Sequence, residues 1–76
     1  MTKTMRIEER YTNPELGVAH YRATETLTET DDGLRVEVAS TNVITGKSSR
    51  TTKVYPGVTL EAAVAWRMAH GYSEVK

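Results

Sequence analysis

A short turn sequence near the middle of the chain, Asp31-Asp32-Gly33, constrains the fold more than any other feature. Asp-Gly suits the positive-φ positions of a type I′ turn, so the tripeptide predicts a β-hairpin. After it, Leu34, Val36 and Val38 alternate with polar residues, which is the period of a half-buried strand. The chain is therefore expected to build its core on an antiparallel sheet.

The predicted hairpin separates an apolar face from a polar one. With Asp32-Gly33 as a two-residue loop, Leu27 falls opposite Val38, and the other face is rich in threonine, as on the solvated side of an antiparallel sheet. Glu25 and Glu29 point to the apolar face, which a sheet edge or a bulge would explain. The apolar face comprises Tyr21, Ala23, Leu27, Leu34, Val36, Val38 and Ile44.

One further strand is predicted before this hairpin and one after it. Residues 5–11 are predicted to form the first strand, and residues 18–29 the second strand, which leads into the turn. The second hairpin turns at Thr45-Gly46, and a three-residue loop with a glycine bulge places Val54 opposite Val36 in the core. A two-residue loop would bring Tyr55 inward instead, because a slip of one residue exchanges the faces.

The last part of the chain predicts one amphipathic helix. Thr59 is a suitable N-cap and Gly71 a suitable left-handed residue after the helix. At about 100° per residue, Leu60, Val64 and Met68 share the face expected to pack on the sheet, with Ala63 beside it. Together these elements predict an α+β fold, with four antiparallel strands and one C-terminal helix packed on one face.

Trp66 has two alternative positions in this fold. It wedges under the margin of the sheet, or it lies among alanines on an exposed helix face, where a tryptophan is a typical interface anchor. The second alternative defines the expected partner-binding residues, which are Trp66, Ala62, Ala69, Arg67 and His70.

Composition bounds the class of protein. Seventy-six residues make one domain, 1–76, with a thin core and no cysteine, so self-association as a homodimer is a candidate source of stability. Ten basic and ten acidic side chains balance, which argues against a protein whose main partner is a phosphate backbone. No apolar segment approaches the roughly 20 residues of a membrane span, and no signal peptide is visible. A cytoplasmic protein that does not bind membranes is expected.

The sequence lacks a catalytic or cofactor signature. His20 and His70 have no adjacent nucleophile and no third ligand at metal spacing, so no enzyme activity, metal or cofactor is expected. Nucleic-acid binding has one candidate site, because Lys47, Arg50 and Lys53 cluster in the second hairpin without an acidic residue between them. A charged hairpin edge that avoids aggregation is the alternative explanation of these residues.

The order of elements and one hairpin motif resemble a known family. The motif residues are Arg35-Val36-Glu37, Asn42-Val43, Gly46-Lys47-Ser48, the helix start Thr59, Leu60 and Glu61, and Trp66. These resemble the type I-F anti-CRISPR proteins, which are small phage inhibitors of the Cascade surveillance complex. The resemblance covers about half of the chain, which departs from it in its longer second strand and in its single, more apolar helix. It implies a small inhibitor that works by binding protein; a structural subunit of a homo-oligomer is the other alternative.

Overall fold

The structure is a computed structural model that describes residues 1–15 and 17–76. Its five strands form one antiparallel sheet in the order β4-β3-β2-β1-β5, accompanied by one helix. The elements are β1 Thr2–Asn13, β2 Gly17–Thr30, β3 Gly33–Asn42, β4 Ser48–Tyr55, α1 Leu60–Ala69 and β5 Ser73–Glu74. The antiparallel sheet with one C-terminal helix is confirmed. The expectation of four strands is wrong, because β5 adds a two-residue strand beside Met5 and Arg6.

The first hairpin keeps the predicted faces but not the predicted register. Leu27 pairs with Val36 rather than with Val38, a shift of two residues that leaves the paired side chains of β2 and β3 on their predicted sides. The loop is Asp31-Asp32, because Thr30 pairs with Gly33. Gly33 takes a φ of +133° whereas neither aspartate has a positive φ, so the prediction of a type I′ turn is wrong. We call the side of the sheet turned to α1 the inner face and the opposite side the outer face. Ile44 lies in the next turn, 58% exposed, and not on the inner face.

The second hairpin differs from the favoured prediction by one residue. Val54 pairs with Arg35 and lies on the outer face, whereas Tyr55 pairs with Leu34 on the inner face. The side chain of Asn42 stabilises the turn, since its Oδ1 accepts hydrogen bonds from the amides of Ile44 and Thr45, each at 3.1 Å. The turn is longer than either loop considered from the sequence.

The helix begins and ends at the predicted residues. Thr59 Oγ1 accepts a hydrogen bond from the Ala62 amide at 3.1 Å, and Gly71 follows the helix with a φ of +92°. The packed stripe differs from the predicted one at Met68, which is 54% exposed, whereas Leu60 and Ala63 are buried and Val64 packs against the core. The buried apolar core joins four sheet residues to two helix residues: Met5, Leu27, Leu34, Val36, Leu60 and Ala63.

The helix covers only part of the inner face. It lies nearest to β1, β2 and β5, in a molecule that measures 44 × 24 × 23 Å. The inner-face side chains of β4, and those at the far end of the β1–β2 hairpin such as Tyr11, remain exposed. At ten residues α1 is too short to cross a membrane, and residues 1–15 and 17–76 contain no other α-helix.

Candidate functional site

An apolar groove lies between α1 and the β3–β4 edge of the sheet. Its volume is about 320 Å³. Leu34 and Val36, both buried, contribute from the inner face, while Tyr55 and Val58 contribute from the end of β4 and the segment after it. The full lining is Leu34, Val36, Tyr55, Val58, Ala62, Ala63, Trp66 and Arg67.

The indole of Trp66 forms part of the helix wall of this groove and is held in place. Trp66 is 55% exposed, so it occupies the exposed alternative rather than the position under the sheet margin. The imidazole of His70 stacks on it with centroids 4.0 Å apart and an interplanar angle of 18°. His70 Nδ1 also donates a hydrogen bond to the Trp66 carbonyl oxygen at 2.6 Å, and the Arg67 guanidinium carbon lies 5.8 Å from the indole centroid.

The other predicted partner-binding residues separate into two groups. Ala62 lines the groove, and Ala69 and His70 are exposed on the same part of the helix surface as Trp66. Arg67 instead turns towards the sheet, where its side chain is 15% exposed. The exposed side of the helix therefore carries Trp66 and the small side chains beside it, whereas Arg67 lies between the helix and the sheet.

Arg67 forms a buried ion pair with Glu25 of β2. Its Nε and Nη2 both donate to Glu25 Oε1, at 3.1 and 2.9 Å, and its Nη1 donates to the Ala63 carbonyl oxygen at 3.1 Å. Glu25 is only 6% exposed, which makes its inward position a paired charge rather than an edge or a bulge. The pair links the helix to the sheet beside the groove.

Tyr72 completes this buried polar cluster, and its titration provides a test of it. Burial, together with the neighbouring Glu25 carboxylate, raises the pKa of the Tyr72 phenol from its ordinary value near 10 to about 12. The neutral phenol is thus favoured in the folded chain, so its contribution to stability is complete below about pH 10 and is lost as the pH rises towards 12. We expect an ultraviolet titration of phenolate to show a step at about 12 that Tyr72→Phe removes.

The matched control for this titration is Tyr11→Phe, since Tyr11 is 51% exposed and lies far from α1. That variant should keep the late step. A late step that survives Tyr72→Phe would contradict the assignment to this phenol.

Two groove residues, Tyr55 and Val58, were not predicted as part of a site. Tyr55 was expected to face outward, and Val58 lies in the short segment before the helix, where no periodicity operates. The signal for Tyr55 was the alternative register of the second hairpin. Nothing in the sequence pattern indicates Val58.

The basic residues of the second hairpin do not form one patch. Lys47 lies in the turn, Arg50 pairs with Ala39 on the outer face, and Lys53 pairs with Val36 on the inner face. A nucleic acid that contacted Arg50 on the outer face could not contact Lys53 at the same time, because Lys53 lies on the inner face.

The two histidines occupy separate places. His20 Nε2 lies 2.9 Å from Glu8 Oε2 on the outer face, and hydrogen bonds from Arg22 and His20 hold the pKa of Glu8 below its ordinary value. Neither ring forms a hydrogen bond with a hydroxyl group in residues 1–15 and 17–76. Within the same residues, no three histidine or acidic side chains converge as they would around a metal ion.

Comparison with known proteins adds no family to this description. The chain matches no protein-family model, no curated protein and no solved structure.

Proposed function

We propose that this protein is a small protein-binding module that acts by occupying a surface of its partner, without chemistry of its own. The observation that carries the proposal is the apolar groove between α1 and the β3–β4 edge, with Trp66 in its wall. Trp66 is the one tryptophan of the chain and is more than half exposed. A small domain that leaves its largest apolar side chain in solvent is expected to cover that side chain on binding.

The rigidity of the indole supports the proposal. Stacking by His70 and the nearby Arg67 guanidinium fix the ring before any partner arrives. A side chain that is already fixed loses little conformational entropy when it becomes buried in an interface. Trp66 therefore has the properties of a binding hot spot: large contact area, a pocket beside it and low mobility.

The dimensions of the uncovered strip favour an α-helix as the element that docks. Neighbouring strands lie about 4.8 Å apart, so the inner face of β3 and β4 is about 10 Å wide. That width matches one α-helix with its side chains, about 10–12 Å across. A partner helix lying beside α1 would place its apolar face on Val36, Tyr55 and Val58 and would contact Trp66 from the side.

The resemblance to type I-F anti-CRISPR proteins supplies a specific partner to test. The structure has the element order on which that resemblance rests, three strands, a Gly-Lys-Ser turn, a strand and a helix. We therefore propose a phage-type inhibitor that occludes a protein surface of the surveillance complex. The alternative occupant of the groove is a second copy of this chain, and the experiment on Trp66 described next distinguishes the two.

Trp66→Ala tests the groove directly. We expect the variant to keep its fold, because the indole is outside the buried core, and to bind the purified surveillance complex at least about thirtyfold more weakly. The measurement is a titration of the complex by surface plasmon resonance, with circular dichroism and thermal unfolding to establish that the variant is folded.

Met68→Ala is the matched control, since Met68 is 54% exposed on the same helix but does not line the groove. Equal losses in the two variants would contradict the groove as the contact surface. A protein that neither binds the complex nor self-associates in light scattering over a concentration series would contradict the inhibitor proposal. A dimer that Trp66→Ala converts to a folded monomer would identify the second copy as the occupant.

A further inference from the structure

The outer face of the sheet has a composition that solvent exposure alone does not explain. The register places on it nine of the twelve threonines of the chain and five of its six arginines, and none of its lysines. Threonine is common on a solvated strand face because of its β-propensity. That preference accounts for the threonines but not for the arginines. The arginines are Arg6, Arg10, Arg22, Arg35 and Arg50.

Charge is segregated between this face and the rest of the molecule. Five arginines against two acidic residues, Glu8 and Glu37, leave the outer face with three positive charges. The remaining five basic and eight acidic side chains leave the rest of the chain with three negative charges. The neutral net charge therefore conceals a basic face, and the argument from net charge against a phosphate partner does not apply to it.

Three of the five arginines are available to a ligand. Arg22 is paired with Glu8 at 2.9 Å and Arg35 with Glu37 at 3.3 Å. Arg6, Arg10 and Arg50 are exposed and form no ion pair within residues 1–15 and 17–76. Arginine rather than lysine at these positions favours phosphate, because the planar guanidinium presents a fork of donors to two phosphate oxygens.

The spacing of the free arginines matches a duplex. Arg6, Thr24, Ala39 and Arg50 form one cross-strand row, so the two arginines are three strand spacings, about 14 Å, apart. Arg10 lies four residues along β1 from Arg6, also about 14 Å away. Side chains at these separations can reach phosphates on the two sides of a groove about 12 Å wide.

The face also lacks the feature that single strands require. Tyr11, Tyr21 and Tyr55 lie on the inner face, whereas Trp66 and Tyr72 lie in or after the helix, so no tyrosine or tryptophan ring offers a stacking platform on the outer face. Threonine hydroxyl groups, in contrast, are suitable partners for phosphate oxygens. We propose that the outer face binds the phosphate backbone of double-stranded nucleic acid, without reading its sequence. This surface is opposite the groove, and the proposal is independent of the proposed function.

The experiment is a fluorescence anisotropy titration of a labelled, mixed-sequence DNA duplex of about 20 base pairs, begun at a salt concentration of about 20 mM because contacts of this kind are salt-sensitive. We expect micromolar binding, with a slope of log affinity against log salt of about −2.7 if the three free arginines each neutralise one phosphate. Arg6→Gln, Arg10→Gln and Arg50→Gln combined should weaken binding at least about tenfold and flatten that slope.

A charge-matched control separates the face from overall charge. Lys47→Gln, Lys53→Gln and Lys76→Gln combined remove the same number of positive charges from positions that do not lie on the outer face, and they should leave the affinity within about twofold. Equal losses in the two triple variants would overturn the proposal, as would an absence of binding at low salt. Tighter binding of a single strand of the same length would also overturn it, and so would a preference for an acidic protein over the duplex.

Discussion

Arg67→Met is expected to lower the free energy of unfolding by about 3–5 kcal/mol. Methionine keeps most of the packing of the side chain but leaves the carboxylate of Glu25, 6% exposed, without its counter-charge and without two hydrogen bonds. A domain of this size has a total stability of only about 4–11 kcal/mol. The variant should therefore be largely unfolded at moderate denaturant concentrations, as a urea titration followed by circular dichroism would show.

The double variant Glu25→Leu, Arg67→Met is the control that separates an unpaired charge from lost packing. Replacing a buried ion pair by apolar side chains of similar size is often neutral or stabilising. We expect the double variant to lie within about 1.5 kcal/mol of the original protein. If it is as unstable as Arg67→Met alone, the pair stabilises the fold through its geometry, and the account given for the single variant is wrong.

This pair also shows what the sequence could and could not predict about the helix. The periodicity argument selects Leu60, Val64 and Met68, because it assigns apolar residues to the packed face. The actual face contains Arg67 and not Met68. An arginine is excluded from a core by any pattern rule, and only a partner 42 residues away in sequence makes its burial favourable.

A signal for that partner was present in β2. The predicted hairpin placed Glu25 on the apolar face. The sheet-edge and bulge explanations both assumed that its carboxylate reaches solvent. An inward carboxylate at the centre of a strand instead requires a buried base or donor. Arg67 is the one arginine outside the sheet, so the two observations together would have indicated the pair.

The faces of the sheet were predictable where they depend only on whether a residue occupies an odd or an even position along its strand. A shift of two residues in the first hairpin exchanged no side chain between faces, so the apolar and polar sides were correct for β2 and β3. In the second hairpin the register differs by one residue from the favoured prediction, and the turn contains hydrogen bonds from the Ile44 and Thr45 amides to Asn42 Oδ1 that no periodicity indicates. β5 has two residues, Ser73 and Glu74, which is too short for any period to reveal.

The register of the second hairpin explains why the groove was not predicted as a whole. Trp66 was named in one of two alternatives, exposed on the helix or under the sheet margin, and helix periodicity alone did not separate them. The opposite wall required Tyr55 on the inner face, which the favoured register excluded. The basic outer face required Arg50 to be placed with Arg6, and a pairing across four strands is a tertiary property.

Gly33→Ala is the second change with a large expected effect, about 3 kcal/mol or more of lost stability. A Cβ at this position would lie 2.5 Å from the Tyr55 carbonyl oxygen and 2.8 Å from the Pro56 Cα, both of which belong to the backbone. The φ of +133° is also a conformation that side chains disfavour. The end of β4 must therefore move away from β3, which weakens the pairing of Leu34 with Tyr55.

Gly46→Ala is the matched control, because Gly46 also has a positive φ, +76°, but nothing lies within 4 Å of its added Cβ. It should cost only the conformational penalty, about 1–2 kcal/mol. The difference between the two variants combines the contact between the start of β3 and the end of β4 with the less favourable φ of Gly33. Since Tyr55 and Val58 form the groove wall beyond that contact, Gly33→Ala should also weaken partner binding in any fraction that remains folded, whereas Gly46→Ala should not. Equal losses of stability in the two variants, measured by thermal unfolding, would show that this backbone approach does not hold the wall in place.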